Sequence, residues 1–246
     1  MNISSNYKTP IAAASSIVAG AIIIGVLVFA YTAYGIRSMD NQLSVTGSAR
    51  QSIVADKAKW TVSITRPVTA STLKAGYADM SNDLKVVLAY FSRNGFDQSA
   101  LTVSTVFMEE VYENYQPAPD QKKYTLRQSV ELASDDVEKV SALSKNVQEI
   151  INQGVILNAM SPEYSYSKLA DLRVSLLSQA LKDAKDRASA ISEMSGNRVG
   201  KLKSAASGVV QVLPPGSIEV SDYGAYDTSS INKEVMVTVR ASFSLK

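Results

Sequence analysis

From Ile11 to Tyr34 the chain carries no charged residue and no proline, with Lys8 before the run and Arg37 after it. A helix needs about 20 apolar residues to cross a hydrocarbon core about 30 Å thick, and this run is long enough. A secretory signal would have a shorter apolar region, about 7–15 residues, ending at a small-x-small site. Ala33-Tyr34-Gly35 could serve as that site, but Tyr31 and Tyr34 suit the aromatic belt of a membrane interface. A helix buried in a soluble core would keep one polar face, and the run has none. The reading is an uncleaved anchor over residues 11–36, preceded by a terminus at 1–10 and followed by a neck at 37–42 and a soluble domain at 43–246. Lys8 and the amino terminus stand without an acid, whereas Asp40 offsets Arg37. The positive-inside rule then puts the short terminus in the cytoplasm. The expectation is a single-pass protein of the cytoplasmic (inner) membrane with its domain periplasmic or extracellular, and the lipid bilayer as partner of residues 11–36.

The chain has no cysteine and no histidine. Disulfides, thiol nucleophiles and thiolate metal sites are excluded. So are Ser-His-Asp catalysis, HExxH zinc sites and 2-His-1-carboxylate iron sites. The net charge of +2 gives no field that points to nucleic acid. An apolar fraction of 46 % is enough to build a core for one domain, or for two closely joined subdomains.

Beyond the neck, Leu43–Arg50 and Ser52–Arg66 read as strands, and Pro67 is expected to stop the second. Thr69–Asn94 reads as a helix with Leu73, Tyr77, Met80, Leu84, Val87 and Phe91 on one face and Gly95 closing it. Strands follow at Leu101–Tyr112 and Lys122–Ala133, joined by a loop at 113–121 that carries Pro117 and Pro119. A second helix is expected over Asp135–Gln153, with Asp135 and Glu138 as a capping box. Val155–Ala159 is a short strand, and Tyr164 and Tyr166 continue extended.

Ser167 is placed to cap a third helix that runs to Ser195. Its inward stripe is Leu169, Leu172, Leu176, Ala180, Ala184 and Ile191, and the alanines at 180, 184 and 188 allow close approach of a neighbouring element. Arg198–Val212 gives one or two strands, 213–230 a loop, and Glu234–Leu245 a strand whose Val235, Val237, Val239, Ala241 and Phe243 alternate with polar residues. Helices set among hairpins make the fold class α+β, mainly antiparallel sheet packed with three helices.

The third helix, with its Asp-Ala-Lys-Asp-Arg-Ala run from Asp183, then Gly196 and the Gly200-Lys201-Leu202 step into a strand, resembles the SIMPL domain family. Val45-Thr46-Gly47-Ser48-Ala49 is similar to the family's opening strand, and Asn94-Gly95-Phe96-Asp97 before Leu101 to its turn into the next strand. Lys123-Tyr124 stands where the family often has Gly-Tyr, and Asp56 where it has Pro-Asp. The resemblance covers about residues 43–246. It implies an exported or envelope-associated domain that forms large homo-oligomers and is linked to envelope stress, with no established catalytic residue or cofactor.

Several constellations compete with plainer readings. Ser71/Lys74 and Ser165/Lys168 match Ser-x-x-Lys, in which lysine activates serine, but serines also cap helix ends. Asp183 and Arg187 suit an i,i+4 ion pair on a solvated face. Glu109, Glu110, Glu113 and Asp120 could gather a cation, although strand alternation sends Glu109 and Glu110 to opposite faces. Arg198, Lys201 and Lys203 read as solvated strand ends. Tyr112, Tyr115, Tyr164, Tyr166, Tyr223 and Tyr226 form three pairs, suited to packing within the subunit or to contacts between subunits.

The expected function is therefore a non-enzymatic, membrane-anchored homo-oligomeric scaffold, a ring or cage, that binds no cofactor, metal or nucleic acid. Those tyrosines and the long C-terminal strand, taken as edge-capable, are its candidate contacts. The alternatives are a tethered module that binds a small ligand or an envelope protein, and a Ser-Lys or carboxylate hydrolase.

Overall fold

The computed structural model describes residues 8–39, 41–112, 122–217 and 221–246; within the first helix it describes the side chains of Ser16 and residues 18–33. That helix, α1 (Lys8–Met39), takes in the whole apolar run. Among the described residues, no helix is long and apolar enough to cross a membrane.

After α1 come β1 (Gln42–Val54), β2 (Lys57–Thr69), α2 (Leu73–Arg93), β3 (Leu101–Val103), β4 (Phe107–Val111) and β5 (Lys123–Ser134). Then follow α3 (Val137–Ser144), α4 (Gln148–Ile151), β6 (Leu157–Ala159), β7 (Glu163–Ser165), α5 (Leu169–Met194), β8 (Val199–Ser207), β9 (Gln211–Leu213) and β10 (Asn232–Leu245). The fold is α+β, with antiparallel strand pairing in both sheets. The chain divides into two compact units: Met1–Ser48 with Gln179–Gly208 and Val239–Lys246, and Ala49–Ser178 with Val209–Thr238.

The larger unit is built on β2. Its alternation sends Trp60, Val62 and Ile64 to one face, all fully buried. β5 pairs with β2 from Ala58↔Ser134 to Thr69↔Lys123 without a break in register. The inward residues of β5, Leu126, Val130 and Leu132, join the same cluster, together with Met80, Val87, Tyr90 and Phe91 of α2. Trp60 meets Phe91 edge to face, with ring centroids 5.6 Å apart. A second cluster gathers Ile53, Leu172, Leu176, Val212, Val235 and Val237.

Pro67 does not end β2; it pairs with Thr125 inside the strand. Thr65 directs its amide to Ile156, on the side away from β5. A residue two further on faces the same way, and the pairing of β2 with β6 spans only Val62 to Ile64. The donor that proline lacks would therefore point to a flank with no strand among the described residues, where a sheet tolerates it.

The expected second helix is broken into α3 and α4. Tyr90 Oη reaches the carbonyl oxygens of Leu143 at 3.0 Å and Asn146 at 3.2 Å. It occupies the Leu143 oxygen that would accept from Val147 in a continuous helix. Its cap is Asp136, whose carboxylate accepts from the Lys139 amide at 3.0 Å; Asp135 instead meets Lys57 at 2.6 Å.

The strand expected over 101–112 is likewise divided. Val103↔Val130 and Phe107↔Arg127 leave one extra residue on the outer strand. Ser104 absorbs that bulge: its Oγ accepts from the Ser129 amide at 2.9 Å and its carbonyl from Gln128 Nε2 at 2.9 Å.

In the smaller unit, Gly47 of β1 lies directly against α5. A side chain there would overlap the Ala180 carbonyl and the Ala184 amide. Ala180, Ala184 and Ala188 are fully buried, so three small residues and one glycine set the spacing. The inward stripe continues at Ser192, 1 % exposed, rather than Ile191, 48 % exposed, because it advances by fours from Leu172. The C-terminal strand is not an edge: β10 lies between β1 and β8. Its Ala241 and Phe243 are buried.

Gly47→Ala tests that close approach. The added methyl meets backbone on both sides, so it should lower unfolding free energy by about 3 kcal/mol or more, read as a reduced midpoint in denaturant. Unchanged stability would contradict the packing.

Candidate functional site

Four charged side chains decide what chemistry the larger unit holds in its interior. Asp83 is turned inward on α2 and takes both prongs of Arg66 of β2, Nε to Oδ2 and Nη2 to Oδ1, each at 2.8 Å. The fork-to-fork geometry fixes the guanidinium, and the carboxylate raises its already high pKa. Asp227 and Lys233 form the second pair, 3.3 Å apart, with the lysine side chain fully buried. Lys233 Nζ also donates to the Asp227 carbonyl at 2.5 Å.

Burial opposes ionisation of Asp227, but donors surround it. Ser230 Oγ bonds to Oδ2, and Ser229 Oγ and its amide bond to Oδ1 at 2.7 and 2.9 Å. These and Lys233 hold the carboxyl far below the usual carboxylate range. Sequence reading missed Lys233 because the strand was expected to begin at Glu234; it stands two residues before Val235, on the inward parity of β10.

Asp56 makes a third tie, at the corner between β1 and β2. Burial again opposes its charge, and Ser167 overcomes it, Oγ at 2.6 Å and amide at 2.7 Å, which keeps the carboxyl below its ordinary range. Ser167, expected as a helix cap, is committed to this carboxylate. In the smaller unit the Ser48 amide donates to Asp183 Oδ2 at 2.8 Å, and Arg187 pairs with the same oxygen at 2.8 Å. Those two bonds lower the Asp183 pKa, the amide most. Asp183 is thus more than a solvated ion pair: it fastens β1 to α5.

The remaining constellations disperse. Among the described residues no hydrogen bond joins Ser71 to Lys74 or Ser165 to Lys168; Ser71 Oγ lies 2.9 Å from Thr69 Oγ1. Glu109 pairs with Arg127 at 3.5 Å and Glu110 with Lys122 at 3.0 Å, while Glu113 and Asp120 lie outside the described residues. Among the described residues no group of three or more metal-ligating acids gathers. Arg198, Lys201 and Lys203 are exposed at the start of β8.

The tyrosines separate. Tyr112 and Tyr223 are almost wholly exposed, at 90 % and 96 %. Tyr226 is half exposed and walls a hollow of about 390 Å³ with Pro214 and Ala225. Tyr166 packs against the Leu172–Val235 cluster. Tyr164 is buried in the Trp60 core, where its ring is already covered within the subunit. Tyr115 lies outside the described residues.

One concavity combines polar and apolar groups, a cleft of about 470 Å³ inside the larger unit. Its polar lining includes Ser141 and Lys145 from the end of α3 and its cap, and Ser161 and Tyr164 from the segment around β7. Ala159, Met160, Pro162 and Ile231 supply the apolar wall. Sequence reading missed this site because its residues come from three distant segments.

The geometry defines an α+β protein of antiparallel sheets in which carboxylates fasten one element to another. Residues 43–243 match the SIMPL family, a protein of unknown function (DUF541), and the chain belongs to that family. No curated protein matches it.

Asp227→Asn should lower stability by roughly 3–5 kcal/mol, because it leaves Lys233 buried without its counter-charge. Asp227 has a depressed folded pKa, so its contribution is complete above the unfolded carboxylate value of about 3.9 and is lost as pH falls below it. Denaturation series from pH 7 downward should show the wild-type advantage over Asp227→Asn shrinking only below about pH 4. An advantage constant down to the lowest pH would contradict the assignment.

Proposed function

We propose that this SIMPL protein is a non-enzymatic, membrane-anchored scaffold that assembles from many copies of itself outside the cytoplasmic membrane. The observation that carries the reading is the surface of α1. Val18, Ile22, Ile23, Ile24, Val26, Leu27, Val28, Phe29 and Tyr31 are each 57–82 % exposed. Successive helical residues turn by about 100°, so the runs 22–24 and 26–29 put apolar groups on every side. Lipid is the solvent that suits such a helix. Its 32 residues, at about 1.5 Å each, reach about 48 Å. Lys8, set against the Arg37–Asp40 flank, favours the terminus inside.

Assembly is supported by aromatic surface that the subunit leaves uncovered. Tyr112 and Tyr223 are nearly bare, and Phe107 is 64 % exposed; buried tyrosine and phenylalanine carry much of the energy of protein contacts. An anchor confines the copies to one layer and raises their effective concentration. The buried acids are consumed as ties, which suits a scaffold better than a hydrolase.

Light scattering beside size exclusion on the detergent-solubilised full chain should give a mass of many subunits, retained when residues 1–40 are deleted. Tyr112→Ala with Tyr223→Ala should reduce that mass while shifting stability by less than about 0.5 kcal/mol, as exposed sites do. A monomer in both the full and the truncated chain would overturn the proposal.

A further inference from the structure

The cleft at the end of α3 goes beyond a scaffold's needs. Two hydroxyl-bearing side chains that line it, Ser141 and Tyr164, are 9 % and 6 % exposed. Among the described residues neither hydroxyl has a protein partner. A polar group left unsatisfied in an interior costs about 1–3 kcal/mol. No polar side-chain atom of the described residues is sealed from solvent without a partner, so both hydroxyls keep contact with solvent, and both residues line the cleft. They are built to meet something that enters it.

The rest of the lining gives that something a sign. Lys145 is exposed and lines the cleft with no ion pair or side-chain hydrogen bond among the described residues, and an ammonium offers donors only. The Ser161 hydroxyl is likewise without a protein partner. The two other serines are committed: Ser144 Oγ donates to the Ser141 carbonyl at 2.9 Å, and Ser229 Oγ to Asp227 at 2.7 Å. Among the described residues no carboxylate lines the cleft. Three uncommitted hydroxyls beside one uncommitted cation form a cradle for an oxyanion, to which such donors bind with charge assistance. The same lining includes Met160, Pro162 and Ile231, which offer apolar surface, with Met160 57 % exposed. About 470 Å³ lies within the range of small-molecule sites.

We propose that this cleft binds a small organic carboxylate, its charged head held by Lys145, Ser141, Ser161 and Tyr164 and its short hydrocarbon body on Met160 and Ile231. The site is independent of assembly, and its test does not read molar mass. The probe is butyrate, with butylamine and butanol as controls of similar size. Binding to the full chain in detergent is followed by saturation-transfer NMR titration.

Butyrate should saturate the signal, and butylamine and butanol should bind at least about tenfold more weakly, since the charge-assisted bonds are lost. Lys145→Gln should weaken butyrate about tenfold. Ser141→Ala and Tyr164→Phe should each weaken it by a few-fold, as loss of one hydrogen bond does. Lys145 and Ser161 are exposed, so Lys145→Gln and Ser161→Ala keep the test valid if the buried variants fail to fold. No saturation by butyrate, equal binding of butylamine, or full affinity in Lys145→Gln would each overturn the assignment.

Discussion

The larger unit depends on the pairing of β2 with β5. Twelve residue pairs run from Ala58↔Ser134 to Thr69↔Lys123, and a one-residue slip anywhere would turn Trp60, Val62 and Ile64 outward. Because that register is fixed, α2 can lay Met80, Val87 and Phe91 on the sheet, and Arg66 and Asp83 come into bidentate contact. On the other flank, β6 and β7 each pair with a separate stretch of β2. The hydrophobic term that drives this burial has no direction; the ladder and the Arg66–Asp83 fork supply direction.

Much of this was legible as periodicity. The alternation of β10, the inward set of β5 and the length of α5 follow from apolar spacing alone. Two of the misses share a cause: a side chain far off in sequence satisfied a backbone group. Tyr90 interrupts the helix after Leu143 by reaching its carbonyl, and neither residue signals that locally. Ser104 absorbs an extra residue between β3 and β4 with bonds to β5. β10 reads the same whether it is an edge or a centre, since strand order follows from long-range pairing rather than local pattern.

The polar sites were less legible than the core, for a related reason. Asp56, Asp227 and Asp183 each acquire meaning only from a partner's backbone amide or hydroxyl. Tyr164 was noticed for its neighbour Tyr166, yet it belongs to the core and also lines the cleft. Lys233 was missed as well: the strand was expected to begin at Glu234, one residue after it, whereas β10 starts at Asn232 and puts Lys233 on the inward parity. A lysine at such a position calls for a carboxylate nearby.

Pro67 reads differently once its surroundings are known. Among the described residues no strand pairs with the flank of β2 beyond Ile64, and such a flank is where a foreign or misplaced strand would add during synthesis, when many copies are crowded together. Proline removes one rung from that ladder while leaving the native pairing with β5 intact. Natural sequences set such gatekeepers beside strands they cannot otherwise protect. The missing rung closes one route by which a foreign strand could extend the sheet.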